Sequence, residues 1–241
     1  MRSLSIIFPV HNEAANLPAL LEGLRRVLPD LPEDTEIIAV NDGSTDRSAE
    51  ILEEAKATLP HLRVLNTPGK SGMGGALMAG SLAGEGRCIV WSMADLSDRH
   101  EDIPKMVAKL DEGYDLVIAS RADEGGNYGD LGRVKASLSH AYSAFARRWF
   151  GIPATDITNA YRAMTRELLA AAAPRARDFA VSPELAIRAR RLGARITTVP
   201  TVYRYRVEGD SKFKMVRMMI RYGLLLFLKF TPRPKAFRSA D

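Results

Sequence analysis

One cysteine occurs in 241 residues, Cys88. That scarcity excludes an internal disulfide framework and cysteine-rich zinc sites. Cys88 sits inside an apolar run and reads as a small buried hydrophobe. Histidine is also sparse: His11, His61, His100 and His140 lie far apart, without the spacing of a metal-binding set. Long apolar runs are missing as well. The uncharged stretch Tyr222–Leu228 is far short of the roughly 20 residues that span a bilayer. The first apolar segment, Leu4–Val10, runs straight into a polar loop, unlike a signal peptide, so a reducing cytoplasm is the expected compartment. There is no internal repeat, low-complexity tract or obvious linker. What is present is the composition of an ordinary soluble protein, 46% hydrophobic and 26% charged. The expected organisation is one compact domain over residues 1–212 with an appended segment, 213–241.

Charge is unevenly placed. The chain carries a net +5, yet residues 203–241 hold ten Lys/Arg against three Asp/Glu. A basic tail on a near-neutral body suggests an anionic partner. Lys214, Arg217 and Arg221 fall at i, i+3 and i+7, one stripe of a helix flanked by Met215, Met218, Met219, Tyr222, Leu225 and Leu226. Two readings stand. Such a helix can lie at a membrane surface, with Arg233, Lys235 and Arg238 adding attraction to anionic lipid. It can equally dock on the protein's own core. Nucleic acid is disfavoured, because the basic residues accompany an aliphatic run rather than base-stacking aromatics.

The first half alternates strand and helix. Strands are expected at Leu4–Val10, Glu36–Asn41, Leu62–Leu65, Cys88–Met93 and Asp115–Ser120. Helices are expected from Asn16 to about Leu28, from Ser44 or Thr45 to about Thr58, over Met73–Leu82, and from about 99 to 112. This alternation predicts an α/β fold with a doubly wound, mostly parallel sheet. In the second half a glycine-rich loop (121–132) precedes a helix over Val134–Phe150. Thr155–Thr165 reads as mostly strand. Helices at about 166–173 and 183–192 precede a strand at Ile196–Tyr205.

Two phosphate-binding patterns fail. Gly69-Lys70-Ser71 lacks the earlier glycine of a P-loop, since Val64 stands there, and Leu77 breaks a dinucleotide fingerprint after Gly72 and Gly74. The glycines at 69, 72, 74 and 75 still precede a helix. Their N–H groups could approach an anion, or the segment could simply connect strand and helix. Three strand ends carry polar clusters: Pro9-Val10-His11-Asn12-Glu13, then Asn41-Asp42-Gly43-Ser44-Thr45-Asp46, then Met93-Ala94-Asp95-Leu96-Ser97-Asp98. Parallel strands would bring all three to one edge of the sheet, where ligands of such folds bind. There the acids can meet the base, ribose and metal-bound phosphates of a nucleotide. Taken singly, each has a plainer reading: Ser44, Asp46 and Asp98 as helix caps, Glu13 as a solvated loop residue.

This ordered set closely resembles the family 2 glycosyltransferases of GT-A fold, and among them the polyprenyl-phosphate (dolichol-phosphate) mannosyl- and glucosyltransferases. The likeness extends to about Lys212. It implies transfer of a hexose, with inversion, from a GDP- or UDP-sugar to a polyprenyl phosphate. It implies donor contacts at Pro9, His11, Asn12, Glu13, Val40, Asp42, Ala94 and Asp95, with Mg²⁺ or Mn²⁺ at the acid motif. Asp156-Ile157-Thr158-Asn159-Ala160-Tyr161-Arg162, Phe179 with Glu184-Leu185, and Arg206 to Lys212 resemble later family motifs. By resemblance, Arg121, Arg133, Ser137, Arg206 and Lys212 contact acceptor phosphate, and Asp95, Arg133, Arg206 and Lys212 serve catalysis. The expected site of action is the cytoplasmic face of a membrane, peripherally bound.

One departure matters. Met93 stands where the family usually has the first acid of a D-x-D pair, and a thioether is a poor ligand for a hard cation. Asp95 is therefore expected as the principal metal ligand, with Asp98 helping. Two alternatives stand: a different lipid or soluble acceptor and, because of Met93, an inactive nucleotide-sugar-binding relative.

Overall fold

Leu4–Val10 forms a strand, β1, that is covered on both faces. Leu4, Ile6, Phe8 and Val10 enter one hydrophobic core and Ile7 enters another, as the two-residue period of a strand requires. Burial on both sides implies a sheet lined by helices above and below. The structure is a computed structural model that describes residues 3–129, 133–203, 215–232 and 237. Among these residues seven strands form one sheet: β1, β2 (Thr35–Asn41), β3 (Leu62–Asn66), β4 (Cys88–Trp91), β5 (Leu116–Ser120), β6 (Arg162–Thr165) and β7 (Ile196–Pro200). Their order is β3-β2-β1-β4-β6-β5-β7. Neighbours pair in parallel, except that β6 is antiparallel to both β4 and β5.

The helices are α1 (Leu17–Val27), α2 (Ser48–Ala55), α3 (Met73–Ala83), α4 (Ile103–Asp111), α5 (Arg133–Phe150), α6 (Arg166–Ala172), α7 (Val181–Arg191) and α8 (Met215–Leu226). Leucines of α1, Leu52 of α2 and Ile103, Met106, Val107 and Leu110 of α4 cover the face of Leu4 and Phe8. α3, α6 and α7, with Ala146 of α5, cover the other. The fold is thus the doubly wound α/β architecture that the alternation predicts. Cys88 is buried in the first core.

Several boundaries differ from expectation for identifiable reasons. α2 starts at Ser48 rather than at Ser44 or Thr45, because Ser44 and Thr45 bond Asn12 in the neighbouring loop. β4 ends at Trp91 rather than Met93. Asp98 does not cap a helix: α4 begins only at Ile103, after a 3₁₀ turn over His100–Asp102. Thr155–Thr165 is strand only from Arg162. Its earlier half is rich in Asp, Thr and Asn, whose side chains bond nearby groups and draw the backbone away from a ladder. The strand expected to Tyr205 ends at Pro200. Among the described residues no helix is long and apolar enough to cross a membrane.

Candidate active site

β1 and β2 end level with one another, Val10 opposite Asn41 and Pro9 opposite Val40. β4 ends opposite Ile7, and the Ser92 N–H donates to the Ile7 carbonyl at 3.0 Å. Because the three strands are parallel, their exit loops leave on one edge. The reversed β6 adds a fourth segment, since its first residue, Arg162, lies opposite Trp91 and Ile118.

The first two loops interlock. Asn12 adopts a left-handed backbone, φ +57°, which asparagine tolerates better than most residues. Its N–H donates to Ser44 Oγ at 3.1 Å, and its side-chain carbonyl accepts the Thr45 N–H at 2.8 Å. The Glu13 N–H donates to Ser48 Oγ, and the Glu13 carboxylate accepts Asn16 Nδ2. His11 Nδ1 lies 2.9 Å from the Asp42 carbonyl, and Lys70 Nζ lies 2.9 Å from Nε2. A carbonyl only accepts and an ammonium only donates, so this pairing suits Nδ1 as donor and Nε2 as acceptor.

Asp42 is buried and heavily bonded. Its Oδ1 accepts the Ser71 N–H (2.7 Å), the Ser71 hydroxyl (2.6 Å) and the Thr67 hydroxyl (3.0 Å), and its Oδ2 accepts the Gly72 N–H (2.8 Å). Burial pushes its carboxyl up, but these hydrogen bonds outweigh it and hold the group below its ordinary value. The glycine-rich segment therefore wraps a carboxylate of its own chain. Beyond it, the Gly74 and Gly75 N–H groups donate to the Arg177 carbonyl, so they are engaged by the chain rather than open to an anion. Gly72, at φ +82°, would place a Cβ 2.5 Å from that same oxygen. Lys70 and Ser71 thus belong to the site. Their sequence signal was the Gly69-Lys70-Ser71 triplet, set aside there because it fails as a P-loop.

The acid motif folds back on itself. Asp98 Oδ2 accepts the Met93 N–H at 2.8 Å and the Ser92 hydroxyl at 3.3 Å. Asp95 Oδ1 accepts the Ser97 hydroxyl at 2.6 Å and the Ser97 N–H at 3.2 Å. Leu96 between them is left-handed, φ +63°, a conformation that costs a non-glycine residue on the order of 1 kcal/mol and clusters at functional sites. Both acids are buried. Burial, and then the charge of Asp95, push Asp98 up to about 7. Among the described residues no group of three or more His, Cys, Asp or Glu is assembled for a metal. Two hard carboxylates suit Mg²⁺ or Mn²⁺ in the mode where substrate phosphates complete the coordination. Met93 contributes through its backbone N–H, which needs no particular side chain.

Arg121, at the end of β5, turns inward. Its Nε donates to Asp156 Oδ2 at 2.6 Å and its terminal nitrogen to Asp156 Oδ1 at 2.9 Å. It also reaches Thr158 and Ser139 and stacks over Tyr128. Burial would lower its pKa, but the Asp156 charge raises it, and its own charge acts on Asp98. The Asp156–Arg162 motif is the frame for this arrangement. Asn159 Nδ2 donates to the Ala119 carbonyl, the Tyr161 hydroxyl to the Arg99 carbonyl, and fully buried Arg162 to the carbonyls of Ser182, Ile157 and Asn159. Burial brings Arg162 down to about 9. Arg133 and Ser137 stand exposed on the first turns of α5, with Ser139 beside Arg121. Arg206 and Lys212 lie outside the described residues, as do Lys214, Arg233, Lys235 and Arg238.

On α8, Met218 and Tyr222 pack inward against Ala180, with Leu225 beside them. The Tyr142 hydroxyl donates to the Tyr222 carbonyl at 3.1 Å, and Arg221 pairs with Asp178 at 3.2 Å. For these side chains, docking on the protein's own core is what the structure adopts.

Residues 5–171 match the protein-family model described as glycosyl transferase family 2. The chain belongs to that family. Among curated proteins, this glycosyltransferase is 33% identical over 218 residues to an undecaprenyl-phosphate mannosyltransferase of Micrococcus luteus, covering 88% of this chain and 87% of the relative. It is 31% identical to an undecaprenyl-phosphate 4-deoxy-4-formamido-L-arabinose transferase of Pseudomonas fluorescens, covering 95% of this chain and 66% of the relative. Among solved structures, glucosyl-3-phosphoglycerate synthase of Mycobacterium tuberculosis, in complex with Mn²⁺, UDP and glucosyl-3-phosphoglycerate, superposes with a TM-score of 0.72. It covers 95% of this chain and 80% of that one, at 22% identity. That likeness establishes the GT-A fold of this glycosyltransferase.

Proposed function

We propose that this glycosyltransferase moves a hexose from a GDP- or UDP-sugar to a polyprenyl phosphate, with inversion at the anomeric carbon. The observation that carries the reading is the gathering of Glu13, Asp42, Asp95 and Asp98 on one sheet edge. Among relatives it is supported by the undecaprenyl-phosphate mannosyltransferase, similar over 88% of this chain and 87% of the relative. Pro9, His11, Asn12, Glu13, Val40 and Asp42 would receive the nucleoside, and Ala94 and Asp95 the diphosphate side. Asp95 with Asp98 would hold a divalent cation, which supplies charge stabilisation for the departing diphosphate.

The acceptor is a phosphate monoester, largely dianionic at neutral pH because its second pKa is about 6. Its oxygen is already nucleophilic and needs no strong base. It forms the new bond to the anomeric carbon as the bond to the diphosphate oxygen breaks, and the nucleoside diphosphate leaves. The protein's task is to bring two anions together. Arg133, Ser137, Arg206 and Lys212 would bind the acceptor phosphate, and Arg121 would lend an immobilised charge. A lipid acceptor would put the reaction at a membrane surface, and we propose its cytoplasmic face, with the protein bound peripherally. A panel of GDP- and UDP-hexoses with a short-chain polyprenyl phosphate, assayed with Mn²⁺, with Mg²⁺ and with chelator, tests this. Metal-dependent transfer from one donor is expected; donor binding without transfer would favour an inactive relative.

A further inference from the structure

The large apolar side chains exposed among the described residues are not scattered. Apart from Leu82, all lie on α5 or within residues 219–230. Phe145 and Trp149, four apart on α5, stack at 5.8 Å. Trp149 meets Phe230 edge-on at 6.3 Å, and Phe230 meets Phe227 at 6.4 Å. Phe227 and Phe230 open and close the 3₁₀ turn Phe227–Phe230, where positions three apart eclipse. Phe227 is 65% and Phe230 74% exposed. Ile220 and Leu224 continue the ridge along α8, on the side away from the packed Met218 and Tyr222. α8 is thus apolar on two sides and covered on one. A contiguous exposed apolar patch of this kind marks an interaction surface.

The charge around the ridge selects its partner. Arg133–Phe150 and residues 215–232 together contain seven Lys/Arg and no Asp or Glu. Arg147, Arg148 and Lys229 flank the aromatic rings, and Lys229 Nζ lies 5.7 Å from the Trp149 ring centre. Two copies of such a surface would repel each other. An anionic lipid surface offers both what the rings need and what the cations need: an apolar interior under a negative layer. Tryptophan is enriched at that boundary. We infer that the ridge formed by Phe145, Trp149, Phe227 and Phe230, with Ile220 and Leu224, is the face by which this protein docks on an anionic membrane.

The side of α8 offered to lipid is thus the one opposite Met218 and Tyr222, which pack on the protein itself. The docking face joins α8 to α5, the helix that carries Arg133 and Ser137. Ser137 and Trp149 are twelve residues apart, about 18 Å along the helix. A docked α5 would then run from the membrane boundary to the acceptor-phosphate end of the site. This last step rests on the proposed lipid acceptor; the docking face itself does not.

The protein supplies its own reporter. It has two tryptophans. Trp91 is fully buried and bonded to Ser81, so a change in emission on adding vesicles reports Trp149. With phosphatidylglycerol/phosphatidylethanolamine vesicles, the full chain should co-sediment, shift its emission to the blue and be quenched by brominated acyl chains. Phosphatidylcholine vesicles should do little. Trp149→Phe should lose the signal yet still sediment. Phe227→Ser/Phe230→Ser should lower partitioning by about tenfold or more. Arg147→Gln/Arg148→Gln should weaken it specifically toward anionic lipid. Binding with unchanged Trp149 emission would overturn the inference. So would no binding at all, or a dimer that Phe227→Ser/Phe230→Ser dissociates. Emission already blue and indifferent to vesicles would mean that the chain's own tail covers the ridge, which also overturns it. Phe227→Ser/Phe230→Ser should leave transfer to a water-soluble short-chain acceptor intact. If the unaltered protein fails that transfer while vesicle docking holds, the proposed function fails and the docking face stands.

Discussion

Asp95 and Asp98 are three residues apart and held in different ways. Asp95 is oriented by Ser97, whereas Asp98 is bound back to the Met93 N–H and Ser92. This difference makes the substitution at 93 interpretable. If a divalent cation is carried by the two acids, Met93→Ala should keep most of the activity, because the backbone N–H survives. Asp95→Ala should cost on the order of 10²–10³-fold in turnover, and Asp98→Ala should raise the metal concentration needed for half-maximal rate. Steady-state rates titrated with Mn²⁺ check all three. Asp42 differs again. Its Oδ1 accepts three hydrogen bonds from Thr67 and Ser71, and its Oδ2 accepts one from Gly72. Asp42→Asn should therefore loosen that segment as well as weaken donor binding, raising the donor KM more than it lowers kcat.

At the scale of elements, the segment from β3 to α3 is pinned from two sides. Asp42 holds it at Ser71 and Gly72, and the Arg177 carbonyl holds it at Gly74 and Gly75. Glu184 in turn holds the 175–176 backbone, accepting both N–H groups. A Cβ at Gly74 would lie 2.5 Å from the Ala176 carbonyl oxygen. Gly74→Ala should cost about 1–3 kcal/mol, read as a lowered urea midpoint, and raise the donor KM through the shift of Ser71. Such a contact was not legible in the sequence. The glycines could be seen to precede a helix, but whether their N–H groups faced an anion or a carbonyl depends on residues a hundred positions away. What periodicity did reveal was strand and helix order, because covered strands such as Leu4–Val10 and amphipathic helices such as α1 carry their own pattern. It misjudged Thr155–Thr165 and the start of α2, where polar side chains trade local bonds for distant ones. The strand-end acids were legible because the parallel arrangement places them by topology alone. The inward turn of Arg121 was not, because its partner Asp156 arrives on the irregular segment that leads into the reversed strand β6.

For the whole molecule, the Arg121–Asp156 pair ties the β5 edge to the β6 approach. Burial alone would raise Asp156, but the Arg121 charge and hydrogen bonds outweigh it and hold the carboxyl below its ordinary value. A folded pKa below the unfolded one means that the unfolded chain binds more protons between the two values, so stability rises with pH there. The contribution is complete above about pH 4, the ordinary aspartate value, and is lost as pH falls further. Asp156→Asn leaves a buried guanidinium without its counter-charge and should cost about 3–5 kcal/mol at pH 7. The gap between the two proteins should shrink below pH 4, as urea midpoints measured at both pH values would reveal. On the proposed function, the edge of the sheet joins the anomeric carbon of a nucleotide-sugar to a phosphate oxygen of a polyprenyl acceptor. The most direct test supplies the preferred labelled nucleotide-sugar with a short-chain polyprenyl phosphate or with the polyprenol of equal length. A metal-dependent, alkali-distinguishable glycosyl phosphate is expected from the first and nothing from the second. Equal transfer to the alcohol, or no transfer to the phosphate from any donor, would contradict it.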